Sequence, residues 1–199
     1  MVFMEQKTKK TIREYAIFLG VIMVLYLTGL HTEVFGFLQR GILATGLLNP
    51  DTESIERESS TLPDADFNFS LRNSKGETVD MQDLKGKVIF MNIWATWCPP
   101  CIAEMPAINK LYEKTKNDNV IFVMISVDED FQKAVQFRER KGYEFEVYSL
   151  VTNMPPMYHS SNIPTTFVID SKGKLAMVHK GMSNYNSDKF LAYIQSLIN

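Results

Sequence analysis

Val88-Ile89-Phe90-Met91-Asn92-Ile93-Trp94-Ala95-Thr96-Trp97-Cys98-Pro99-Pro100-Cys101 carries an apolar run straight into the only two cysteines of a 199-residue chain. Val88 to Trp94 reads as a buried strand, and Ile102 to Lys116 reads as a helix. Two thiols separated by two residues at a strand-to-helix junction can close into a small disulfide ring and open again, which suits a dithiol redox site. The free N–H groups and dipole at a helix N-terminus stabilise a thiolate on the first cysteine.

Two plainer readings compete. Half of a zinc site needs further ligands, normally four in all, yet there is no second cysteine pair. The three histidines, His31, His159 and His179, lie far from the pair in sequence. A purely structural bridge rarely closes so tight a ring in a domain large enough to have its own core. Redox chemistry is the preferred reading, with neither a metal nor an organic cofactor expected.

Upstream, residues 1–14 are short and basic, with Lys7, Lys9, Lys10 and Arg13 set against Glu5 and Glu14. Residues 15–32 contain no Asp, Glu, Lys or Arg. At 1.5 Å per residue they span about 27 Å, enough for a hydrocarbon core. The expectation is a single transmembrane helix with the N-terminus in the cytoplasm, by the positive-inside bias. The rest of the chain then lies on the extracytoplasmic side of a bacterial cell membrane, where disulfides persist. A cleaved signal peptide is the competing reading, but no Ala-x-Ala site closes the apolar run. Residues 33–61 form a membrane-proximal segment and acidic linker. Within them Val34 to Leu48 is too short and polar for a second span and reads as an amphipathic surface segment.

Residues 62–199 suffice for one domain. Phe67, Phe69 and Leu71 alternate into the turn Asn73 to Gly76, with Val79 on the returning strand. Val120 to Val127 is a second apolar strand suited to a parallel position. Asp128, Glu129 and Asp130 crowd the start of a helix bearing Phe131, Ala134 and Val135. Phe145, Val147 and Tyr148 suggest a short strand. Thr165 to Ile169 and Leu175 to His179 flank a turn, and a last helix begins near Ser187. The order β-β-β-α-β-α-β-β-β-α implies an α/β fold, a central mixed sheet with helices on both faces. The net charge of -2 and the absence of a basic stripe give no sign of nucleic-acid binding.

Lys85-Gly86-Lys87, Asn92 to Cys101, Glu104, Pro106, Ile163-Pro164-Thr165 and Gly181 together resemble the thioredoxin fold. More specifically, they are similar to the membrane-anchored thiol–disulfide oxidoreductases of the TlpA/ResA type. The resemblance covers roughly Leu62 to Asn199, and Val120 to Phe145 is long enough for that family's αβ insertion. It implies that Cys98 attacks and is the exposed member of the pair, and that Cys101 resolves the mixed disulfide. Pro99 and Pro100 would restrict the ring. Asn92 stands where thioredoxins carry a buried aspartate and cannot take over its proton transfer. Glu104, three residues after Cys101, is the candidate to accept that proton; the alternative is a solvent-facing glutamate. The resemblance also implies a cis Ile163–Pro164 bond, with Ile163 offering its backbone to an extended substrate. Trp97 would rim the same groove, and Trp94 belongs to the core.

The expected activity is reduction of extracytoplasmic protein disulfides, apocytochromes among them. Recharging would come from a membrane electron donor or another thioredoxin-like protein. A disulfide oxidase or isomerase uses the same residues, and a membrane-anchored binding module with an incidental dithiol is the non-enzymatic alternative. Met154-Pro155-Pro156-Met157 borders the groove in this reading without being assigned a ligand, and Thr96 is not read as a peroxidase threonine.

Overall fold

The computed structural model describes residues 2–27, 63–116 and 119–198. Helix α1 is Val2–Leu27. Large apolar side chains along it are exposed, among them Tyr15, Phe18, Met23 and Leu27, the last to 74%. Among the described residues, no helix is long and apolar enough to cross a membrane. Residues 28–32 of the expected span, the segment 34–48 and the acidic linker up to Leu62 lie outside the described residues.

The described strands form one mixed sheet in the order β2-β1-β5-β4-β3-β6-β7. Its first hairpin joins β1 (Ser70–Asn73) to β2 (Thr78–Asp80). Asn73 Oδ1 accepts the N–H groups of Lys75 and Glu77 in the turn. Phe67 and Phe69, expected on the strand, precede it, yet both are buried on the same side as Leu71. The strand β3 (Val88–Trp94) is buried at every position, because β4 (Val120–Ser126) flanks it in parallel and β6 (Thr165–Ile169) antiparallel. The remaining strands are β5 (Val147–Leu150), parallel to β4, and β7 (Leu175–Lys180), antiparallel to β6.

Two helices connect these strands and a third follows β7. Helix α2 (Pro99–Thr115) runs uninterrupted past Pro106. Helix α3 (Phe131–Lys141) starts where Asp130 accepts the Gln132 N–H and ends at Gly142, whose φ of 65° closes the turn without a Cβ penalty. Helix α4 (Asp188–Ser196) is capped by Ser187, which accepts the Phe190 N–H.

The period of two along β3 divides the core. Val88, Phe90 and Trp94 face one cluster with Ile102, Met105, Ile108 and Leu111 of α2, Ala134 and Phe137 of α3, and Phe190 and Ile194 of α4. Ile89, Met91 and Ile93 face a second cluster with Phe67, Met81 and Tyr158. The expectation of helices on both faces is therefore corrected. Helices α2, α3 and α4 lie on one face. The other is covered by the segment before β1, by the 3-10 turns Met81–Leu84 and Pro156–Tyr158, and by Met154 and Met157. The reason is topological: β3 to β4 and β4 to β5 are successive parallel crossovers stepping the same way along the sheet, and two right-handed crossovers of that kind place both helices on one side. Aromatic contacts mark the seam, with Trp94 5.6 Å from Phe137 and Phe90 5.1 Å from Tyr185. Full burial of each such side chain contributes about 1.5–3 kcal/mol.

Candidate active site

The end of β3 delivers the dithiol to the mouth of α2. Cys98 is the N-cap, in extended backbone, and Pro99 and Pro100 fill the first two helical positions. Both prolines sit where a helix has no intrahelical partner for its N–H, so they cost no hydrogen bond there. Their effect is to leave Cys101 as the first N–H donor of the helix. It points at Cys98 Sγ, 3.3 Å away. A negative charge developing on that sulfur meets a fixed donor and the positive end of the helix dipole.

Cys98 and Cys101 are joined in a disulfide, with their Cα atoms 5.3 Å apart. The expectation that Cys98 is exposed needs correcting for this form, since Cys98 is 4% and Cys101 0% exposed. The chain around Ile163 lies against Cys98, whose Sγ is 3.8 Å from the Ile163 carbonyl oxygen. The Ile163–Pro164 bond is cis. Trp97 is 58% exposed beside the disulfide, whereas Trp94 is fully buried; Pro99 and Pro100 are half-buried. Of the sequence-derived candidates, Trp97, Pro99 and Pro100 flank Cys98 in the chain, and Ile163, with Pro164 after it, is brought to its sulfur from 65 residues away.

Glu104 is not solvent-facing. It is fully buried one turn beyond Cys101 on α2. Asn92 Nδ2 donates to its Oε1 at 2.9 Å and the Ser183 N–H donates to its Oε2 at 3.1 Å. Burial pushes its carboxyl up to about 8, against the opposing pull of these two donors. Asn92 also donates to Thr166 Oγ1 at 2.9 Å, a contact set by register, since Asn92 on β3 pairs with Thr166 on β6. The Tyr185 hydroxyl donates to the same Thr166 oxygen at 2.7 Å.

A second carboxylate, read from sequence only as part of an acidic helix start, holds the loop before Cys98. Asp128 accepts from the Thr96 N–H at 3.0 Å, from Thr96 Oγ1 at 2.6 Å and from Ser126 Oγ at 2.7 Å. It ties the exit of β4 to the turn that carries Trp97 and Cys98. Asp128→Ala leaves these donors without their acceptor and is expected to destabilise the fold by about 1–3 kcal/mol and to slow disulfide exchange. Urea unfolding together with initial exchange rates checks both, and unchanged values in each would exclude this tie.

Sequence reasoning misses Thr166, Ser183, Tyr185 and Asp128 as site residues, and it notes Asn92 only for the charge it lacks. The β3–β6 pairing points to Thr166 once the register is known, but no local motif marks Ser183 or Tyr185. Among the described residues, no group of three or more His, Cys, Asp or Glu is placed to hold a metal ion.

The Redoxin family model matches residues 57–192 of the chain. The thiol-disulfide oxidoreductase ResA of Halalkalibacterium halodurans is 33% identical over 130 residues, covering 64% of this chain and 74% of that protein. ResA of Bacillus cereus is 33% identical over 131 residues, covering 65% and 75%. Among solved structures, a thiol:disulfide interchange protein DsbE from Chlorobium tepidum superposes with a TM-score of 0.60 at 27% identity, over 70% of this chain and 100% of that one.

Proposed function

The chain belongs to the redoxin family as a TlpA/ResA-like, thioredoxin-fold thiol–disulfide oxidoreductase, and we propose that it reduces disulfides of extracytoplasmic proteins from a membrane anchor. The observation that carries the catalytic part is the placement of Cys98 Sγ, which receives the Cys101 N–H on one side and lies against the Ile163 carbonyl on the other.

In the reductive direction the Cys98 thiolate attacks one sulfur of a substrate disulfide. The substrate S–S bond breaks, a Cys98–substrate S–S bond forms, and the first substrate sulfur leaves as a thiolate that takes up a proton. Cys101 then loses its proton and attacks Cys98 Sγ, closing the Cys98–Cys101 bond and releasing the second substrate thiolate. Glu104, one turn from Cys101 and poised near pH 8, is suited to accept the Cys101 proton. Trp97 and the Ile163 backbone border the approach of an extended substrate, for which apocytochrome cysteines are the leading class. Electrons return from a membrane donor or another thioredoxin-like protein, which reopens the Cys98–Cys101 bond.

The reduction potential of the full chain tests the direction. Equilibration with defined thiol buffers is expected to place it near the reducing end, about -270 mV, whereas a value near about -120 mV would make the protein an oxidant.

The anchor rests on the charge-free stretch 15–32 and on the exposed apolar side chains of α1, such as Tyr15, Phe18, Met23 and Leu27. The proposed arrangement is a single pass with residues 1–14 in the cytoplasm and residues 63–198 outside. Protease added to spheroplasts is expected to digest the thioredoxin-like domain and to spare an N-terminal tag; a protected domain would reverse this topology.

A further inference from the structure

The Glu104 carboxyl sits among donors. Asn92 Nδ2 reaches Oε1 and the Ser183 N–H reaches Oε2. Thr166 Oγ1 in turn receives both Asn92 Nδ2 and the Tyr185 hydroxyl. This arrangement fits an ionised carboxylate. It does not fit a carboxylic acid, whose O–H needs an acceptor, nor does it provide an acceptor for the hydrogen of the Thr166 hydroxyl. Yet the site is fully buried, which favours the neutral acid. One acceptor stands unused on the same side chain: Asn92 Oδ1 is buried and has no hydrogen-bond partner among the described residues. A buried carbonyl left in that state keeps its full desolvation cost.

We propose that the Asn92 side chain is a two-position amide switch that positions the proton of Glu104 for exchange with Cys101. A half-turn about χ2 exchanges Oδ1 and Nδ2 at nearly the same points. In the position described, the amide donates to a Glu104 carboxylate. In the turned position, Oδ1 accepts the Glu104 O–H and the Thr166 O–H together, and Thr166 continues to accept from Tyr185. Each position matches the groups on the Glu104 side to one protonation state of its carboxyl, and in both the far end of the amide lacks a partner among the described residues. Asn92 is a positioning residue in this scheme, acting on the thiols only through Glu104.

The inference rests on the reading of Glu104 as the proton acceptor for Cys101. In the resolving step the Cys101 thiol gives its proton to the Glu104 carboxylate, and the Cys101 thiolate attacks Cys98 Sγ. The Cys98–Cys101 bond forms as the Cys98–substrate bond breaks, and the substrate leaves as a thiolate. The amide turns as Glu104 becomes neutral, which keeps the proton hydrogen-bonded away from the departing thiolate. Cys101 precedes the carboxyl by one turn on its own helix, and facing it are Asn92 of β3 and the Ser183 N–H and Tyr185 from the segment after β7. The Tyr185 phenol is held neutral by burial and by the nearby carboxylate. The His179 ring stands edge-on to Tyr185, with centroids 6.4 Å apart.

The test is an NMR titration of the oxidised full-length protein labelled at asparagine and glutamate side chains, from about pH 5 to 10. The Asn92 Cγ and Nδ2 shifts are expected to move with the same midpoint as Glu104 Cδ, and to become independent of pH in Glu104→Gln. A Glu104 signal that titrates while Asn92 stays flat would overturn the switch and leave the Glu104 reading standing. A Glu104 signal that never titrates would remove both. An Asn92 signal that still titrates in Glu104→Gln would also overturn the switch, because another group would then be driving it.

Discussion

Cys98→Ser is expected to bring disulfide-exchange turnover down to the uncatalysed background. The hydroxyl that replaces the sulfur cannot form a mixed disulfide, and Cys101, fully buried behind the position of Cys98, has no route to a protein substrate. The loss is therefore far larger than a change in affinity and does not depend on folding. The helix keeps a competent N-cap, since serine accepts the Cys101 N–H as well as or better than sulfur. Insulin reduction with a dithiol reductant, read beside the circular dichroism spectrum, separates the two effects. Retained turnover would mean that the dithiol is incidental and that the chain acts as a binding module.

Glu104→Gln carries the second large effect, and its sign follows from linkage. The carboxyl is raised from its ordinary 4.5 to about 8 in the folded chain. Below about pH 4.5 it is neutral in both folded and unfolded states and contributes no penalty. As the pH rises toward 8, the unfolded chain releases the proton while the folded chain holds it, so the wild type loses about 1.4 kcal/mol of stability per pH unit. The loss accumulates to roughly 3–5 kcal/mol and levels off above the folded value. The uncharged amide that the substitution introduces has no such dependence. Urea unfolding of the oxidised proteins between about pH 4.5 and 9 should therefore show the wild type falling relative to Glu104→Gln as pH rises. Parallel curves would show that Glu104 is ordinary in the folded chain. In the reduced protein, the pH profile of Cys101 alkylation should shift in the same variant, and an unchanged profile would make Glu104 a bystander to the thiols.

Much of this architecture was legible because local periodicity and turn chemistry agreed. The alternation of apolar residues, the capping residues Asp130 and Ser187, and the turn at Asn73 to Gly76 all report on neighbours close in sequence. The strand and helix order read from them is the order observed. The side of the sheet on which each helix packs is a different kind of fact. It depends on which strands become neighbours, and an apolar strand such as Val120 to Ser126 has no polar face to declare it.

The site divides in the same way. Cys98, Pro99, Pro100, Cys101 and Glu104 lie within one stretch, and their motif identifies them. The partners of Glu104 come from distant strands and loops. Ser183 is 79 residues away, and Thr166 is 74 from Asn92. Asn92 illustrates the limit. Its lack of charge excluded it from the role of the aspartate, but nothing local revealed that it donates to Glu104, the carboxylate proposed for that role. The burial of Cys98 likewise depends on the Ile163 segment, 65 residues downstream.

The most direct test of the central claim, that Cys98 attacks and Cys101 resolves, is to trap the intermediate. Reduced Cys101→Ser, mixed with an oxidised substrate protein and quenched with an alkylating agent, is expected to yield a covalent adduct that peptide mapping places at Cys98. If no adduct formed there, while Cys98→Ser captured the same substrate through Cys101, the order of attack would be contradicted.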